Sequence, residues 1–393
     1  MKTKIQNNLW LVATFLIVCL FQIVEAADSP TTGIEAPVLS LAIRCTNEVV
    51  KAGDEIDIEF RITNRGTNDY KYADRTYDRS GRMDEYKLVV TNNAGEAIPD
   101  PRTSNKWGWF GGGLFQFAIL KPGQSFIKII PLNRWTLVKE SGRYEVVGSY
   151  MPERYSTNSP EIISVPIIVE VLPRTPQEMN AYIGDLSNQL AAAVSDALVM
   201  KLMFTCNPKI VPALLDAMYK SGSGRFWETE ALNFYIPHSD ATKQEIFTVV
   251  NKRGLTDGMP SILSEYGYTN VEAFRPFIER SLALDNPKSW QAGATAAQQY
   301  GNDTFTPRLI ALATEPGNSA RMQAIYALAA NRTDESVKTL KSLLNDADPQ
   351  IRKTTERAIR TAYNWRGIWQ GRLLKPEDFD EQYQVRDPML LSK

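Results

Sequence analysis

The sequence predicts a β plus α protein in two parts: an antiparallel β-sandwich over residues 38–173, then a right-handed α-solenoid of helix pairs over 176–374. Three observations predict it. Apolar and polar residues alternate from Leu39 to Val171, the period of strands with one buried face. Leu172-Pro173-Arg174-Thr175-Pro176 then ends that pattern, since proline cannot continue a ladder and disfavours helix before it. Beyond it the apolar spacing turns helical, and from Asn286 to about Ala362 it recurs at a step of 31 residues.

The chain begins with its own signal. Lys2 and Lys4 precede an apolar run from Leu9 to Val24, and Val24-Glu25-Ala26-Ala27 supplies small residues for cleavage. That pattern predicts a secretory signal peptide over 1–26. A retained anchor is the rival, but the run is short of the roughly 20 residues that span a bilayer. A lipid anchor at Cys19 fits less well, because Val18 stands where a small residue is wanted. The mature chain is then expected to be secreted or periplasmic, with a mobile leader over 27–37 and no integral span. Removing Lys2, Lys4 and Glu25 moves the net charge from −1 to −2, which gives no electrostatic case for a nucleic-acid partner. Cys45 and Cys206 remain, expected as two buried thiols or as one bridge between the regions.

In the first part, Leu39, Leu41 and Ile43 open the alternation, Ile56, Ile58, Phe60 and Ile62 continue it, and Ile163 to Val171 closes it. Tyr86–Thr91, Leu114–Ile119, Ser125–Pro131 and Arg143–Tyr150 read as further strands. Gly53, Gly95 and Gly123 sit in the turns, where φ must become positive. About seven short strands so punctuated argue a sandwich. Asp69–Asp84, with Tyr70, Tyr72 and Tyr77 among charges, reads as a solvated loop. The run Ala52-Gly53-Asp54-Glu55, an alternating strand, then Asn64-Arg65-Gly66 resembles bacterial immunoglobulin-like modules. Leu120–Ser125 with Ser141–Val146 is similar to the sandwich accompanying some secreted metalloproteases and inhibitors.

In the second part, Thr175-Pro176-Gln177-Glu178 reads as an N-cap, a first-position proline and a first-turn acid. Asn207-Pro208, Asn286-Pro287 and Asp348-Pro349 repeat a cap-plus-proline device, and Thr306-Pro307 is expected to use it too. Trp290, Arg321 and Arg352 stand 31 residues apart, as do Ala296, Ala327 and Ala358, and Leu309 and Leu312 recur as Leu340 and Leu343. Small alanines let helices approach, and the leucines fill the seam. These residues resemble the HEAT-repeat family in its short bacterial form, which implies a surface that works by protein contact. Tyr363–Leu374 is expected as a capping helix and 375–393 as a loosely docked polar tail.

Chemistry is sparse. The one histidine, His238, lies in Ile236-Pro237-His238-Ser239-Asp240, where three adjacent side chains cannot align as a catalytic triad. Asp240 reads instead as a helix cap. One histidine and two distant cysteines cannot assemble a usual zinc site. Gly111-Gly112-Gly113 lacks the Lys-Ser/Thr of a phosphate loop, so no metal, cofactor or catalytic residue is expected. Asn302-Asp303-Thr304 and Asn331-Arg332-Thr333 fit the glycosylation pattern.

Two aromatic groups are candidate contact sites. Trp107, Trp109 and Phe110 are bracketed by glycines between two strands, where they either grip a partner or plug the end of the sandwich. Trp365, Arg366, Trp369 and Arg372 combine the residue types enriched at interface hot spots. The reading is an exported, non-catalytic binding or scaffold protein whose partner is another protein. The alternative is a carbohydrate-binding accessory protein gripping a glycan with the aromatic loop. A HEAT-like lyase, as in chromophore attachment, is the third.

Overall fold

The computed structural model describes residues 39–75, 82–83, 85–102, 115–152, 161–221, 226–300, 303–364 and 374–384. Strands occupy its N-terminal part and helices its C-terminal part. The strands are β1 (Leu39–Cys45), β2 (Val50–Lys51), β3 (Asp57–Asn64), β4 (Tyr70–Arg75), β5 (Tyr86–Thr91), β6 (Phe115–Leu120), β7 (Ser125–Pro131), β8 (Gly142–Tyr150), β9 (Ile162–Ile163) and β10 (Ile167–Leu172). They pair as β1-β3-β7, as β2-β10-β8-β5 with β9 beside β8, and as β4-β6. Every pairing is antiparallel except the short contact of β2 with β10.

Alternation puts Ile58, Phe60 and Ile62 of β3 into one buried cluster with Leu88, Val90, Val146, Val169 and Val171 from the larger sheet. Phe60 meets Tyr86 edge-on at 5.3 Å, and Phe126 meets Tyr150 at 5.9 Å. Gly148 is required at the closest approach: a Cβ there would lie 2.9 Å from Ile43 Cγ2 and 3.0 Å from the Phe60 ring. The alternation fails at Ile163 and Val165, which are exposed. Pro166 has no N–H to give a ladder, so the run breaks into β9 and β10.

Asp69–Asp84 corrects the sequence reading. Tyr70–Arg75 is strand β4, paired along all of β6. Tyr72 stacks on Phe126 of β7 at 4.2 Å and Lys128 of β7 bonds Asp74 at 2.8 Å, so the charge of Asp74 is answered from another sheet. Gly53, Gly95 and Gly123 do carry positive φ.

The helices are α1 (Pro176–Ala192), α2 (Asp196–Phe204), α3 (Val211–Ser221), α4 (Phe226–Glu230), α5 (Asp240–Arg253), α6 (Met259–Glu265), α7 (Val271–Ala283), α8 (Pro287–Tyr300), α9 (Thr306–Thr314), α10 (Arg321–Ala330), α11 (Asp334–Leu343) and α12 (Pro349–Asn364). Thr175 opens α1 with a full capping box: Glu178 N–H donates to Thr175 Oγ1 at 3.2 Å and Thr175 N–H to Glu178 Oε2 at 2.8 Å. These bonds, with Lys51, push the Glu178 carboxyl down to about 2.

The 31-residue step has a structural meaning. Ala296, Ala327 and Ala358 are all buried, where α10 packs between α8 and α12. Trp290 Nε1 donates to the Leu284 carbonyl, Arg321 Nε to Ala313 O at 2.9 Å, and Arg352 Nη1 to Asp346 O at 2.6 Å. Each side chain reaches back to a carbonyl at or just past the end of the preceding helix, where backbone acceptors lack intrahelical donors. Asn286 and Asp348 accept from the backbone N–H two residues on, as Asn207 does. Thr306 departs from this. It lies inside α9, Phe305 stands at the cap, and Thr306 Oγ1 is buried without a hydrogen-bond partner.

Two further expectations change. Asn331 is no glycosylation acceptor here: it is buried, and its Nδ2 donates to Ala297 O at 2.7 Å and Ala327 O at 3.0 Å. The tail is not loose over 374–384. Leu374, Asp378 and Phe379 are buried, and Arg332 clasps Asp378 with two bonds of 2.6 and 2.8 Å. The apolar surface at the end of the stack is what recruits Leu374 and Phe379. Cys45 and Cys206 are free thiols, and burial pushes Cys206 up to about 11.

Candidate functional site

All seven residues singled out by sequence, Trp107, Trp109, Phe110, Trp365, Arg366, Trp369 and Arg372, lie outside the described residues. The described structure draws attention to the seam between strands and helices.

Glu230, at the end of α4, is fully buried. Arg102 Nη2 meets its Oε1 at 2.5 Å, and Arg134 Nη2 its Oε2 at 3.4 Å. The Arg134 guanidinium also lies 4.1 Å over the Trp227 ring. Burial lowers Arg134 to about 10, with Glu230 working against that loss. A second pair stands beside it: Arg82 binds both oxygens of Asp100 at 2.6 and 2.8 Å, and the Arg102 N–H adds a bond at 2.7 Å. Burial alone would raise the Asp100 carboxyl, but these donors hold it below the usual carboxylate range. Near the linker, Arg174 donates to Ala52 O at 2.7 Å and Asp54 at 2.9 Å and covers the Tyr182 ring. The seam is therefore charged, with its buried carboxylate Glu230 paired from the strand side.

Glu230 leads into a π-turn, Ala231–Tyr235, closed by a bond of 3.1 Å from Ile236 N–H to Ala231 O. A π-turn widens the helix and leaves carbonyls without their usual donors. Tyr266 OH takes Leu232 O at 3.1 Å, and His238 Nε2 takes Asn233 O at 3.0 Å. His238 thus donates through Nε2, with its ring 4.3 Å from Tyr266. Its neighbours are also occupied elsewhere: Ser239 Oγ caps α5 by accepting from Thr242 N–H at 3.1 Å. The cap is Ser239, and Asp240 is the first helical residue, because the short hydroxyl reaches the third amide.

The π-turn forms one wall of a cleft of about 490 Å³ at the seam, with Pro99, Asp100 and Lys139 opposite. Sequence reasoning missed this site. Its one signal is Glu228 and Glu230 set among Phe226, Trp227, Leu232 and Phe234, acids on a helix otherwise bound for the core. Among the described residues, no group of three His, Cys, Asp or Glu could hold a metal, and no helix is long and apolar enough to cross a membrane.

Residues 275–360 match the family of HEAT repeats. The helical part therefore carries HEAT-like repeats, and they cover α8 to α11 and most of α7 and α12. No curated protein matches the chain. A solved β-glucosidase from Erythrobacter marinus is 16% identical over 33% of this chain and 16% of its own length, with a TM-score of 0.17. This chain thus spans a small share of that enzyme, and the likeness carries no argument about fold or activity.

Proposed function

We propose that the protein is an exported, non-catalytic scaffold that works by protein–protein contact. The observation that carries this is the HEAT match over 275–360 on helices that stack in order, since such repeats generally mediate protein–protein interaction. In this reading residues 1–26 are removed and 27–37 form a leader. The two larger sheets, which share one core, form an immunoglobulin-like β-sandwich over 38–173. The helices of 176–374 form a right-handed solenoid, and 375–393 are its tail. The paired charges around Glu230 then weld both parts into one presenting body.

Trp107, Trp109 and Phe110 on one part, and Trp365, Arg366, Trp369 and Arg372 on the other, are the proposed anchors. The test compares Trp107→Ala/Trp109→Ala with Trp365→Ala/Trp369→Ala in capture of a partner from the exported fraction of the host, each with a melting curve. Loss of capture by one pair at unchanged Tm supports the reading and assigns the surface. Full capture by both overturns the anchors. Sequencing the exported protein's N-terminus should begin at Ala27, and a start at Met1 would overturn the leader.

A further inference from the structure

Residues 374–384 lie on the end of the helical stack as a bound peptide would. They hold neither strand nor α-helix, only two single turns at Pro376–Asp378 and Glu381–Tyr383. Their hold therefore comes from side chains. Arg332, just ahead of α11, donates to both oxygens of Asp378 at 2.6 and 2.8 Å, and the Lys375 N–H adds a bond of 2.7 Å. Arg332 keeps that carboxyl below the usual carboxylate range, against the opposing effect of burial. Phe379 beside it is 6% exposed and belongs to the helical core, with the Lys341 ammonium of α11 at 5.6 Å from its ring. Tyr363 of α12 donates its OH to the Lys375 carbonyl at 2.7 Å.

Covering the end of a repeat stack needs only a polar outer face over an apolar one. This contact does more. Three side chains of the stack meet three different groups, a carboxylate, a ring and a backbone carbonyl. The two-bond Arg332–Asp378 pair fixes direction as well as energy. Charge is complementary too: residues 374–384 carry four acids and one base, and α12 carries four bases and one acid. A tethered segment also acts at high effective concentration, so modest contacts hold it in place. A free segment must offer the same groups to take its place.

We propose that the α11–α12 end of the stack is a recognition site for a partner segment in which an acid directly precedes an aromatic residue, and that residues 374–384 occupy it in cis until such a segment displaces them. The acid meets Arg332, the ring lies beside Lys341, and Tyr363 holds a backbone carbonyl. This rests on the protein-contact reading proposed above. Its test uses a synthetic peptide and no host partner, so failure of the aromatic anchors leaves it standing, and its own failure leaves the anchors standing.

Fluorescence anisotropy would follow a labelled peptide of residues 374–384, capped at both ends, against the full mature chain. Two full-length variants, Asp378→Asn and Phe379→Ala, loosen the chain's own segment, and a melting curve checks that each is folded. The peptide should bind both variants roughly tenfold or more tightly than wild type, the scale of one charge-assisted bond. Changing the peptide's own acid to Asn, or its Phe to Ala, should weaken binding by a similar factor. Adding Arg332→Ala to the Asp378→Asn chain should do the same. Equal affinity for wild type and both variants, peptide changes without effect, or no binding to either variant at millimolar concentration overturns the proposal. A wild-type dimer that Arg332→Ala converts to monomer would give the site to the same segment of a second copy, and would overturn its occupation in cis.

Discussion

The helices before residue 286 and those after it solve different problems. From α8 to α12 the chain needs only to stack on itself. One alanine and one back-reaching side chain per step of 31 residues suffice, and these recur as Ala296, Ala327, Ala358 and as Trp290, Arg321, Arg352. From α1 to α6 the helices must also meet the strands, and regularity gives way. Helix lengths vary, a π-turn interrupts the chain at Ala231, and the buried acid Glu230 is held by Arg102 and Arg134 from the strand side. A repeat is legible where neighbours are copies, and it dissolves where the neighbour is a different kind of surface.

The largest expected effect breaks the irregular side. Glu230→Ala leaves two nearly buried guanidinium groups without their carboxylate and should cost about 3–5 kcal/mol. Chemical denaturation reads it, and the two parts should then unfold in separate transitions. A loss under about 1 kcal/mol would mean that the seam is held mainly by packing.

On the regular side, Ala327→Leu should destabilise by about 1–3 kcal/mol, since the α10 contacts leave no room for three more carbons. An unchanged melting temperature would show that the stack can open there. Equivalent positions in the repeat should still differ. Arg321 is buried and bonds both Ala313 O and Asp346, so Arg321→Ala should cost about 1–2 kcal/mol. Arg352 is exposed, and Arg352→Ala should cost under about 1 kcal/mol. Equal costs would make the repeat position, and not its burial, the source of the energy.

The smallest effect lies at the joint. The Glu178 carboxyl is depressed to about 2, against an ordinary value of about 4.3. Its contribution is therefore present above about pH 4.3 and is lost as the pH falls toward 2. The difference in Tm between wild type and Glu178→Gln should shrink over that window. A constant difference would locate the contribution in shape and not in charge.

The change from strand to helix at Leu172–Pro176, the Thr175 N-cap, the capped helix starts at Asn207, Asn286 and Asp348, and the buried alanines were all legible in the sequence. Each depends on residues within a few positions, or on a period, and local backbone geometry follows from local chemistry. The strand at Tyr70–Arg75 was not legible, because its charged residues are answered at a distance, Asp74 by Lys128, Arg75 by Glu85 and Lys71 by the Phe117 ring. Nor was the docked segment at 374–384, whose Asp378 is balanced by Arg332, 46 residues earlier. Asn331 carried a surface motif and lies in the core. The Glu230 seam and its cleft depend on pairings across 96 and 128 residues. A charge reads as solvent-facing until the fold brings its counter-charge, and only the tertiary structure decides where that meeting takes place.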